Sequence, residues 1–144
     1  MRKRVIPAAL RRAVAESARY RCGYCLTSQR IVGPLLELDH IIPEACGGSS
    51  DETNLTLACP LCNSHKGDRM EAMDPETQSI VALFNPRNER WSDHFEWGAG
   101  GTMVQGRSAN GRATVVALAM NHPDMIACRR LWVLAGWHPP LECE

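Results

Sequence analysis

The chain has no stretch near the roughly 18 consecutive apolar residues of a membrane span. Its start, MRKRVIPAAL, is basic, but the apolar run is short and ends at Arg11 and Arg12, which makes a poor secretory signal. No internal repeat or low-complexity segment is present, which excludes solenoids and biased, unpacked tracts. Net charge is absent too, since 16 basic residues cancel 16 acids. Aromatics make up only 6% of the chain, and all four tryptophans and both phenylalanines fall in its second half. A complete disulfide framework is excluded by parity, because there are seven cysteines. Four of them form two Cys-x-x-Cys pairs, a pattern that without an export signal favours metal over disulfide. The expected setting is therefore cytoplasmic, where the Asn54-Leu-Thr glycosylation match carries no meaning.

What is present is one domain's worth of chain, or a small domain with an extension, in 144 residues. The balanced charge hides an uneven distribution. Residues 1–30 hold eight bases (Arg2, Lys3, Arg4, Arg11, Arg12, Arg19, Arg21, Arg30) against Glu16, whereas residues 31–68 hold six acids against Lys66. A basic flank beside an acidic stretch suits phosphate attraction next to a metal centre; a solvated basic helix is the plainer reading. Leu10, Ala13, Val14 and Ala18 recur at helical intervals and predict an amphipathic helix over residues 7–20. LLELDHII reads as a strand closed by Pro43, EACGGSSDET as a loop, and NLTLAC as a second strand. A helix is predicted to begin near Cys62 and run through NSHKGDRMEAM.

After Met73 the composition changes. FNPRNERWSDHFEWGAGG reads as loop, TMVQG as a short strand, and residues 111–140 as two helices interrupted near Asn121–Pro123. The simplest role for an aromatic-rich tail is core packed onto the N-terminal unit; a partner- or DNA-binding role is the other. The expected division is 1–73 for a core with the basic N-terminal helix and 74–144 for a C-terminal extension packing on it.

Cys22-Gly-Tyr-Cys25 and Cys59-Pro-Leu-Cys62 are separated by 33 residues. Two such turns complete a four-sulfur shell with no open position, which points to structural zinc. Four buried free thiols or two separate redox motifs are the alternatives. Cys46, Cys128 and Cys143 lack ligand spacing and read as ordinary small side chains, and His94, His122 and His138 read as structural.

Between the pairs lies LELDHIIPEACGGSSDETNLTLACPLCNSHKGD. With its flanking cysteines this segment resembles the HNH endonuclease family, whose motif runs Cys-x-x-Cys, Asp-His-Ile-x-Pro, Gly-Gly, Asn-Leu and Cys-x-x-Cys-(His or Asn)-x-x-Lys. The resemblance covers about residues 20–68, and the tail elements LFNPR, GRAT and GWHPP look like those of small stand-alone members. It implies an α+β fold: a zinc-stapled ββα-metal core, with a basic N-terminal helix and a mostly helical C-terminal extension. It also implies metal-dependent DNA cleavage, with His40 as general base, Asn54 orienting it, and Asp39 and Asn63 binding a catalytic Mg2+ or Mn2+ ion. Because Asn63 replaces histidine, the site resembles an H-N-N variant; products with 5′-phosphate and 3′-hydroxyl ends are implied.

The chemistry is consistent with that assignment. Phosphodiester hydrolysis needs a base for water and an electrophile for the leaving oxygen. An imidazole supplies the first, and a hard divalent ion on one or two protein oxygens the second. His65 lies about 200° around a helix from Asn63, so both cannot face one ion. His65, Lys66, Arg11 and Arg12 remain candidate phosphate contacts, with a solvated helix lysine equally open for Lys66. Strict strand alternation sends Asp39 and His40 to opposite faces, so a shared site requires the strand to twist or end there. Asp39 should then lie near the Asn63 side chain, with His40 set by Asn54 and off the ion. The rivals are a catalytically inactive zinc-stabilised DNA-binding module and a partner-binding protein that uses its tryptophans.

Overall fold

A computed structural model describes residues 5–141. Arg2, Lys3, Arg4 and Cys143 lie outside the described residues. The first helix, α1 (Ala8–Ser17), starts behind Pro7, whose fixed φ suits a helix entrance. Val14 is buried and the arginines point outward, as its periodicity predicts, but the helix stops three residues short of Tyr20. There Arg19 and Tyr20 both take left-handed backbone conformations, with φ of 55° and 56°.

The Cys22–Cys25 turn follows, closed by an Arg21–Ser28 bridge and a Cys22 N–H bond to the Thr27 carbonyl (2.9 Å). After the short helix α2 (Gln29–Val32), strands β1 (Glu37–His40) and β2 (Leu55–Ala58) pair antiparallel, Asp39 opposite Thr56 and His40 opposite Leu55. Helix α3 (Pro60–Lys66) completes a ββα unit. It begins at Pro60 rather than near Cys62, because the Cys59 sulfur caps the Cys62 N–H. It also ends sooner than expected, at Gly67 with its φ of 52°, so Glu71–Met73 is strand β3 and not helix.

β3 pairs with β4 (Ile80–Ala82). The stretch expected to be loop contains α4 (Trp91–His94) and β5 (Phe95–Gly98), and β5 pairs with β6 (Met103–Gly106). Helices α5 (Ala109–Ala117) and α6 (Pro123–Leu134) follow as predicted, broken at Asn121–His122 and stopped before Gly136. The architecture is α+β, with three two-stranded antiparallel sheets among the described residues and helices dominating the tail. No helix among the described residues is long and apolar enough to cross a membrane.

One apolar cluster joins the cysteine turns to Leu83, Phe84, Trp91, Phe95, Leu118 and Met120. The Trp91 indole N–H donates to the Tyr24 carbonyl at 2.8 Å, locking the tail against the first turn. The GRAT element is scaffold. A Cβ on Gly111 would overlap the His94 carbonyl oxygen, and Thr114 Oγ1 accepts from the Phe84 N–H. Arg112 grips the buried Asp74 carboxylate through two bonds of 2.9 Å and holds that carboxyl well below its usual range.

Candidate active site and metal centre

Two sulfurs of the cysteine quartet come from the first turn and two from the start of α3. The four Sγ atoms lie within 4.8 Å of one another, and Cys25 and Cys59 are 3.7 Å apart. A tetrahedral zinc with Zn–S near 2.3 Å sets its sulfurs about 3.8 Å apart. Backbone N–H groups of Cys25 and Cys62 point at the Cys22 and Cys59 sulfurs (3.5 and 3.4 Å), as thiolate ligands require. Burial pushes the Cys22 thiol up, and hydrogen bonding to Cys22 pushes Cys62 up, while bonds from Cys22, Cys59 and Cys62 pull Cys25 down. The raised Cys22 and Cys62 thiols thus resist ionising beside their neighbours, and a dication among the sulfurs lifts that resistance. The donor set fits structural zinc.

One face of this staple carries a cleft of about 300 Å³ whose lining includes Asp39, His40, Glu44, Asn63 and Asp68. Asp39 and His40 both line this cleft although they are consecutive paired residues at the end of β1, opposite Thr56 and Leu55. Asp39 is buried. Its Oδ2 accepts from the Tyr24 hydroxyl at 2.6 Å, and Lys66 Nζ lies 3.3 Å from each of its oxygens. Burial pushes the Asp39 carboxyl above its usual value, and the Tyr24 and Lys66 contacts offset this only in part. Burial and the Asp39 charge push the Tyr24 hydroxyl well up, so it remains a donor. A carboxylate offers about four lone-pair directions. Tyr24 and Lys66 leave one on Oδ1 free for a ligand.

Asn63 does not bond Asp39. Its Nδ2 donates to Glu37 Oε1 at 3.1 Å, which leaves its carbonyl oxygen for another partner, and Asn63 and Asp39 line the same cleft. His40 Nε2 sits 3.0 Å from Ser50 Oγ and 3.5 Å from Glu44 Oε1.

Asn54 does not touch the His40 ring. Its Oδ1 accepts from the Ile42 N–H (2.8 Å), and its Nδ2 donates to the carbonyls of Ile42 (3.0 Å) and Ser49 (2.8 Å). It thus ties both ends of the glycine loop to the backbone just after His40. The two glycines serve this loop differently: Gly47 has a φ of 87°, and a Cβ on Gly48 would overlap the Ile42 carbonyl oxygen.

The candidate phosphate contacts fare unevenly. Lys66 is buried, donating to the His40 carbonyl (3.0 Å) besides Asp39, so neither a phosphate contact nor a solvated lysine describes it. The cause is its place in the last turn of α3, directed back beneath β1. His65 is exposed and bonds the Leu61 carbonyl through Nδ1 (2.9 Å), away from Asn63 as helical geometry requires. Arg11 and Arg12 are exposed on α1 and do not line the cleft. Sequence reasoning missed Tyr24, Glu37, Glu44 and Ser50. Glu37 alone had a signal, sharing the face of Asp39 two residues along β1.

A ββα unit stapled by four cysteines, with Asp, His and Asn around one cleft, defines the metal-finger class of nuclease-type domains. Residues 22–69 match the family model described as HNH endonuclease, from the first cysteine to just beyond Lys66. This bears out the resemblance and assigns that third of the chain to a nuclease or DNA-binding class. No curated protein and no solved structure matches the chain.

Proposed function

We propose that the chain is a metal-dependent endonuclease that hydrolyses DNA phosphodiester bonds. The convergence of Asp39, His40 and Asn63 on one cleft beside the cysteine staple carries this reading. The chemistry belongs to residues 1–73, residues 74–144 brace it, and the working compartment is the cytoplasm. The free lone pair of Asp39 and the free carbonyl of Asn63 are hard oxygen donors. They would hold an ion of the magnesium or manganese class. When bound, that ion supplies Lewis-acid stabilisation to the departing oxygen.

In the tautomer that carries its hydrogen on Nε2, towards Ser50 Oγ and Glu44 Oε1, Nδ1 of His40 is the nitrogen left to accept a proton from water. The imidazolium so formed gains Glu44 as a counter-ion. The hydroxide attacks phosphorus in line and the 3′-oxygen leaves, giving 5′-phosphate and 3′-hydroxyl ends. Asn54 is a positioning residue that acts through the Ile42 backbone.

The test is nicking and linearisation of supercoiled plasmid with magnesium, manganese or chelator, comparing wild type with His40→Ala. Cleavage should vanish in the variant while zinc content and DNA binding persist. Equal cleavage by His40→Ala sinks the mechanism, and a wild type that binds DNA but never cuts it leaves the inactive binding module.

A further inference from the structure

Away from the cleft, the corner after α1 and the segment after α6 meet on one exposed face. Tyr20 is held there by its backbone: its N–H bonds the Ala15 carbonyl (2.9 Å) and its carbonyl receives the Gln29 N–H (2.8 Å). The residue remains 41% exposed, in a left-handed conformation beside a second such residue, Arg19. Non-glycine residues rarely take that conformation, and here two exposed ones follow in succession.

Across the same face stands Trp137. Its backbone N–H bonds the Trp132 carbonyl (2.9 Å) while 62% of the residue is exposed. The other tryptophans, Trp91, Trp97 and Trp132, are buried or largely covered. Two shallow depressions of about 320 and 450 Å³ join the aromatics. Arg19, Tyr20 and Arg30 line the first, Arg30, Ile31 and Trp137 line the second, and Ser28 and Arg30 belong to both. Among the described residues neither lining contains an acid, although the whole chain carries no net charge.

Aromatic rings set on either side of guanidinium groups form the arrangement that binds an unpaired nucleic-acid strand: phosphates on the cations, base faces on the rings. A duplex hides its base faces and could use only the arginines. We infer that this face binds single-stranded DNA, with bases stacked on Tyr20 and Trp137 and phosphates at Arg19 and Arg30. The substrate class of the proposed nuclease is then DNA with an unpaired segment next to the cut site. That consequence rests on the nuclease reading; the binding itself does not.

Zinc-loaded full-length protein without added magnesium or manganese, titrated into labelled oligo(dT) and into a blunt duplex, reads binding free of cleavage. The oligonucleotide should exceed the roughly 4–16 nucleotides that one such site covers. Trp137→Ala and Tyr20→Ala should each weaken oligo(dT) binding about ten-fold, the loss of one stacked base, and leave duplex binding nearly unchanged. Oligo(dT) should quench tryptophan fluorescence in wild type but much less in Trp137→Ala. Unchanged zinc content and melting would show that both variants fold. Unchanged oligo(dT) affinity in both folded variants overturns the inference, as does equal loss on strand and duplex. So does a face occupied by a second copy of the chain, detected by sedimentation as a dimer that Trp137→Ala dissolves. Normal plasmid cleavage without oligo(dT) binding refutes this inference alone, whereas oligo(dT) binding without cleavage refutes only the nuclease reading.

Discussion

Replacing Lys66 by methionine preserves side-chain length and removes the charge. In the folded chain Lys66 is 2% exposed, lies 3.3 Å from both Asp39 oxygens and donates to the His40 carbonyl at 3.0 Å. Its loss leaves the Tyr24 hydroxyl to hold a buried carboxylate. Breaking a buried pair from one side typically costs about 3–5 kcal/mol. Two features favour the lower end. Contacts of 3.3 Å are long for charge-assisted bonds, and Asp39, already pushed up by burial, can take a proton. The expected loss is about 3 kcal/mol, or roughly 6–12 °C in Tm for a chain of this size. Thermal and urea unfolding at neutral pH with stoichiometric zinc measure it. The Lys66→Met/Asp39→Asn double variant should recover a large part of the loss, because no charge is then stranded. If Lys66→Met melts like wild type but binds DNA more weakly and with less salt dependence, the lysine is a phosphate contact and the reasoning fails.

Cys22→Ser should lose stoichiometric zinc and cooperative melting, read by metal analysis and circular dichroism; a folded variant with undiminished metal defeats the structural-zinc assignment. Gly48→Ala should cost roughly 1–3 kcal/mol, because the new Cβ cannot share space with the Ile42 carbonyl, and should lower cleavage by displacing the loop after His40. His138 is buried against Trp97 and Trp132, with its ring N–H given to the Gly101 carbonyl, and burial lowers its pKa below the ordinary 6.5. The unfolded chain therefore takes up the proton first. This contribution to stability is complete above pH 6.5 and declines as pH falls from there through the folded value. Tm measured from neutral pH down to about pH 5 should fall less steeply in His138→Gln; parallel curves would refute the assignment.

The tail shows where pattern runs out. α5 and α6 were legible as two mostly apolar runs of helical length, and the break at Asn121–Pro123 is written in proline. α4, β3, β4 and β5 were not, since three- and four-residue elements carry no period. α4 and β5 persist because Trp91 and Phe95 enter a core built by distant segments.

At the site, the four cysteines could be selected from local spacing, because a two-residue spacer lets both thiolates of a turn reach one ion, whereas Asp39, His40, Asn54 and Asn63 were selected by the resemblance to the HNH motif. Sequence by itself thus determined the ββα unit, the sulfur staple and the candidate chemistry. Tertiary structure alone decided the partners: Lys66 turned inward to Asp39, Tyr24 set beneath the same carboxylate, Asn54 bonded to the Ile42 backbone, Glu44 and Ser50 placed at the His40 ring. The reason is physical. A ligand's spacing is set by the chain within a turn, whereas a buried polar group bonds whatever the fold brings within about 3 Å, and no periodicity encodes that.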